Sequence, residues 1–132
     1  MSGLFSTGFQ SLEAALAARE RMQTTHAANI ANADTPHYRA DSRTFDDFFQ
    51  AEKSRQTQAE MSPNLGNSFT TSDFGNLSGR QKEHEGLRLD GNTVDPQKEM
   101  VNMAENQLMH ELTMRLIKGK LGGLANAIKE GR

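Results

Sequence analysis

The residues able to do chemistry in this chain are few and scattered. Its four histidines, His26, His37, His84 and His110, fall in separate stretches. His84-Glu85 and His110-Glu111 both lack the second histidine that a zinc-binding H-E-x-x-H helix requires. Asp90-Gly91-Asn92 opens like a calcium loop, but Val94 stands where the third oxygen ligand belongs. Cysteine is absent, which removes disulfides and thiolate metal sites. Met100, Met103, Met109 and Met114 offer soft sulfur, yet methionine at helical spacing chiefly fills irregular gaps in packing. No nucleophile, base and orienting group come together, so the sequence predicts no catalysis, no metal, no cofactor and no small-molecule substrate.

What the chain does carry is hydrogen-bonding chemistry at a helix end. Ala27-Ala28-Asn29-Ile30-Ala31-Asn32-Ala33-Asp34-Thr35-Pro36-His37-Tyr38 runs a small-residue helix face into a turn. Alanine lets another backbone approach closely, while the Asn29 and Asn32 amides can bridge to a neighbouring helix or to the turn. Proline lacks an N–H and pushes the preceding residue out of the helical region, so Thr35-Pro36 stops the helix. Asn29, Asn32, Asp34, Thr35, Pro36 and Tyr38 are the candidate turn motif, with Tyr38, the only tyrosine, capping it.

Three segments position these residues. Residues 1–40 hold a helix over about 4–31, with Phe5, Phe9, Leu12 and Leu16 stepping by four, three and four. That seam then drifts through Met22 and His26 to Ile30. Residues 41–94 form a polar, mostly irregular middle, expected to be flexible until assembled. Phe45, Phe48 and Phe49 make an aromatic knot on a short helix there, and Asp90-Gly91 suits a tiny hairpin. Residues 95–132 open on Asp95-Pro96, an N-cap acceptor with proline at the first helical position.

The helix that follows carries two apolar stripes. Met100, Met103, His110, Met114, Ile117, Leu121, Leu124 and Ile128 form one; Val101, Ala104, Leu108, Leu112 and Leu116 form the other. Such a width suits a helix covered from two sides. Gly119, Gly122 and Gly123 weaken its last turns unless these are packed. The fold expected is all-α, the long N- and C-terminal helices pairing as a coiled-coil-like hairpin. Its assembly contacts are predicted between Phe5, Phe9, Leu12, Leu16 and Ile30 and the set Val101, Leu108, Leu112, Ile117, Leu121 and Leu124.

Bulk composition agrees with an incomplete unit. Leu, Ile, Val and Phe supply 24 of 132 residues, just under the roughly 20 % below which disorder sets in. The net charge is only −2, so repulsion is not what opens the chain. It reads as conditionally folded, closing its core with partners. A near-neutral balance without a Lys/Arg cluster argues against nucleic acid. There is no apolar run of about 18 residues to span a bilayer, and the first residues lack the basic and apolar regions of a cleaved signal peptide.

The Ala27–Tyr38 block resembles the signature of the bacterial flagellar axial proteins, which build rod, hook and hook junction. Asp90-Gly91-Asn92-Thr93-Val94-Asp95, Lys98-Glu99-Met100 and Ala104-Glu105-Asn106-Gln107-Leu108 are similar to the C-terminal block of the basal-body rod proteins. So is the ending Leu116-Ile117-x-x-Lys120-Leu121-x-x-Leu124-x-x-Ala127-Ile128, which favours one rod subtype over its sister. The middle has no counterpart. One departure stands out: the family usually has glycine after Thr-Pro, where this chain has His37. Either the turn uses negative φ here or it carries strain.

The resemblance implies a structural subunit of the proximal rod of the flagellar basal body, transmitting torque through helix contacts. It implies export through the flagellar type III apparatus without a cleaved signal. The partners it implies are copies of this chain, other rod proteins, a membrane-ring protein and the small adaptor FliE. Phe5 and Phe9 are then the candidate export signal, read while the N-terminus is unfolded. From another class, the competing reading is a soluble helical adaptor or chaperone that dimerises by coiled coil.

Overall fold

In the computed structural model, residues 2–61 and 88–131 are described, with the side chains of residues 2–6, 60 and 61 left aside. Three helices make up this part: α1 (Ser2–Ala31), α2 (Phe45–Met61) and α3 (Pro96–Glu130). At 1.5 Å per residue, α1 and α3 are roughly 45 and 50 Å long. Helix α1 packs against both others, and α2 and α3 do not meet among the described residues.

Paired side chains show that α1 and α3 are antiparallel. His26 meets Glu99, Arg19 and Gln23 meet Asn106, Glu20 meets His110, and Gly8 lies beside Lys120. The hairpin of long helices expected from the sequence is therefore formed. Helix α3 starts as predicted: Asp95 is the N-cap, its carboxylate accepts the backbone N–H groups of Gln97 and Lys98, and Pro96 opens the first turn. The helix continues through Gly119, Gly122 and Gly123, whose missing side chains would meet nothing within 4 Å.

The middle segment departs from expectation. Residues 45–61 form a full 17-residue helix rather than a short one. Thr44 caps it, its N–H and hydroxyl both donating to Asp47 at 2.8 Å. Beyond the cap, Ala, Glu, Gln, Lys and Arg supply helix propensity without an apolar period to reveal it. Phe48 is buried, Phe45 and Phe49 stack at 5.6 Å, and an Arg21–Glu52 ion pair of 2.6 Å ties α2 to α1. The polar run after this helix lies outside the described residues.

Very little apolar side chain is enclosed. Among the described residues the buried hydrophobic set is Ala14, Ala18, Ala33, Phe48 and Val94. Three of these are alanines, so the described residues gain little from full burial. Arg19 supplies a polar joint instead. Its guanidinium lies 3.9 Å from the Phe45 ring centroid on α2 and donates to Asn106 Oδ1 on α3 at 3.4 Å. Burial pushes the Arg19 pKa below its usual value, yet a guanidinium stays charged.

Candidate functional site

Two features concentrate the unusual chemistry: a hydrogen-bonded clamp at the end of α1, and an uncovered apolar face on α3. The clamp begins where α1 stops at Ala31 and the chain turns through Pro36. Tyr38 N–H donates to Thr35 O at 3.3 Å, closing a turn with Pro36 second and His37 third. His37 has φ of 60°, the left-handed conformation that a type II turn demands at this position and that glycine takes most easily. Of the two options for His37, the structure takes positive φ.

The motif asparagines bridge to the turn. Asn29 is fully buried; its amide donates to Asp41 O at 3.0 Å, and its oxygen accepts from Tyr38 Oη and the Asp41 N–H. Asn32 donates to Ala28 O at 2.8 Å and accepts from Thr35 Oγ1. The Tyr38 hydroxyl reaches Asn29 Oδ1 at 3.2 Å. Asp34 and Pro36 are exposed. Asp41 is gripped in turn by Arg43, whose Nη2 lies 2.6 Å from one carboxylate oxygen and whose Nε reaches both. Burial opposes the Asp41 charge, but the Arg43 hydrogen bonds and charge outweigh it and hold the carboxyl below its usual pKa.

Sequence reading gave no role to the residue that closes the clamp. Asn92 is fully buried, and its amide nitrogen donates to the carbonyls of Asn32, Ala33 and Thr35, each at 2.9 Å. Its oxygen accepts the Val94 N–H at 2.7 Å. One side chain from the Asp90–Asp95 stretch therefore binds three carbonyls of the turn that follows α1. Arg88 adds a further donor to Ala33 O at 3.0 Å, placing its cation at the negative end of the helix dipole.

The hairpin expected at Asp90-Gly91 is present as a turn. Gly91 N–H donates to Arg88 O, Arg88 N–H to Asn92 O, and Gly91 has φ of 75°. A side chain at Gly91 would come 2.7 Å from His37 Nδ1, so the glycine makes room for the His37 ring. Backbone bonds from His37 N–H to Asp90 O and from Thr93 N–H to Tyr38 O sew the two turns together. The signal for this clamp was present in both family-like blocks, but nothing in either one says that they touch.

The predicted contact residues divide. Phe9, Leu12, Leu16, Ile30 and Ile117 are half-buried, and Phe5 lies in α1 with its side chain outside the described set. Val101, Leu108, Leu112, Leu121 and Leu124 are 42–67 % exposed. Within the chain, α3 meets α1 through Glu99, Met103, Asn106, His110, Met114 and Ile117, with Asn106 its only buried residue. The second stripe, Val101, Ala104, Leu108, Leu112 and Leu116, faces outward, as the width of the apolar surface suggested.

Similarity to known proteins falls on the same parts. The flagella basal body rod protein family profile matches residues 9–39, α1 and its turn. Over 130 residues, 98 % of both chains, the sequence is 30 % identical to the flagellar basal body rod protein FlgB of Bacillus subtilis (strain 168). It is 30 % identical over 125 residues to FlgB of Escherichia coli (strain K12), covering 89 % of each chain. With FlgB of Cereibacter sphaeroides (strain ATCC 17029 / ATH 2.4.9) it shares 35 % identity over 122 residues, 87 % of this chain and 88 % of the relative.

Proposed function

This chain belongs to the FlgB flagellar basal body rod proteins, and from that premise we propose how it builds the rod of which it is a structural subunit. The outward face of α3, with Val101, Leu108, Leu112, Leu121 and Leu124, docks on neighbouring subunits. Phe5, Phe9, Leu12, Leu16, Ile30 and Ile117 complete the packing from the α1 side. The observation that supports this reading is the exposure of those large apolar side chains along one helix, while the buried apolar residues among the described ones are mostly alanine. Apolar surface on that scale marks an interaction site in a soluble chain.

The work done is mechanical rather than catalytic: torque passes through helix–helix contacts. The neighbours are copies of this chain, other rod proteins, a membrane-ring protein and the FliE adaptor. The chain reaches them through the flagellar type III export apparatus without a cleaved signal, Phe5 and Phe9 being read by the export gate. Replacing both phenylalanines with alanine should cut secretion while the chain stays abundant in the cytoplasm; unchanged secretion removes the export reading.

The docking face has its own test. A strain carrying Leu108→Ser and Leu112→Ser should export the chain yet form no filament on intact membrane rings. Both side chains are exposed, so the isolated chain should keep its helicity. Full motility in that strain would refute docking through this face.

A further inference from the structure

Helix α3 meets α1 with Glu99, Asn106 and His110 set beside Met103, Met114 and Ile117, although a more apolar side is available. The contact runs through Glu99 on His26 at 2.7 Å, the Asn106 amide donating to Arg19 O and Gln23 Oε1 at 2.9 and 3.0 Å, and His110 facing Glu20 at 3.7 Å. The Val101, Leu108, Leu112 and Leu116 stripe points away and is 50–67 % exposed. Area alone favours the reverse, since burying a leucine contributes about 1.5–3 kcal/mol and a neutral hydrogen bond nets about 1 kcal/mol.

The α1 surface explains why the reverse is not adopted. Its contact strip contains buried His26 and the part-buried Arg19 guanidinium. Turning the stripe inward would set leucines against a cation and an imidazole and strip both of partners, which costs more than the bonds themselves are worth. A single buried asparagine fixes register in coiled coils by the same asymmetry. We propose that Glu99, Asn106 and His110 are an orientation lock: they set the rotation of α3 on α1 so that its apolar stripe stays outward. The inference takes from the rod reading only the use to which that stripe is put.

The chain has no cysteine, so one introduced thiol reports on one position. Leu112 is exposed and the adjacent Thr113 half-buried; Leu112→Cys should therefore react faster than Thr113→Cys with a small maleimide. The full chain is held helical with trimethylamine N-oxide, which favours the compact state. With Glu99→Ala, Asn106→Ala and His110→Ala together, α1 loses its partners in either orientation and leucine burial decides. The order of reactivity should then reverse while helicity is retained. An unchanged order would overturn the lock, because the anchor at Asn92 and Val94 would then suffice. Equal reactivity with loss of helicity would overturn it too, because the three groups would hold α3 on rather than turn it. Neither readout involves assembly, so a motile Leu108→Ser and Leu112→Ser strain would refute the docking reading and leave the lock standing.

Discussion

At the scale of single residues, the clamp depends on two left-handed positions that share one space. His37 adopts φ of 60° where glycine is easiest, and Gly91 at φ of 75° leaves room for its ring. Replacing His37 with glycine should stabilise the chain by about 1 kcal/mol, and Gly91→Ala should cost at least that much. Gly91→Ala should cost less when His37 is already glycine, because only the backbone penalty remains. A double-mutant cycle on thermal midpoints in an excluded osmolyte measures this, and additivity within about 0.5 kcal/mol would refute the shared space. Asp41 makes a separate prediction. Its folded carboxyl titrates below the unfolded value of about 4, so its stabilisation is present above that value and fades as pH falls through the folded one. Helicity should drop in that acid range, and Asp41→Asn should flatten the drop; an identical acid limb in the variant would count against the Arg43 grip.

Among the elements, α3 shows how propensity and packing trade. Its last turns cross Gly119, Gly122 and Gly123, where no described residue comes within 4 Å of an added Cβ. Each alanine substitution should add about 1 kcal/mol to the local stability of those turns, read as slower amide exchange from residues 118–130. Exchange unchanged by Gly119→Ala would mean that something already holds the helix end. Helix α2 teaches the opposite lesson. Its Lys53-Ser54-Arg55-Gln56-Thr57-Gln58 run has no apolar rhythm, yet the Thr44–Asp47 cap and the buried Phe48 start a helix that propensity extends. Period alone underestimates a helix anchored only at its first turn.

For the molecule as a whole, the governing fact is a hydrogen-bonded frame that encloses few apolar side chains among the described residues. The polar clamp and the Arg19 joint position three helices, but they contribute modestly against the conformational entropy of ordering them. The dilute chain should therefore be partly helical and gain helix as concentration rises, measured by circular dichroism over a dilution series. Cooperative melting that ignores concentration would contradict this. Membership of the rod family agrees with such a design, and neighbouring subunits are the proposed source of cover.

The sequence by itself determined the two long helices, the Asp95-Pro96 start and the surplus apolar stripe, because period and caps act locally. Tertiary structure alone decided that Asn92 binds the turn after α1, that Gly91 yields to His37, and that α3 turns Glu99, Asn106 and His110 inward. Those outcomes pair residues dozens of positions apart, and the hydrogen-bonding capacity of an asparagine does not specify its partner. Helix hydropathy even pointed the other way for α3, since it ranks faces by greasiness and knows nothing of the charged strip waiting on α1.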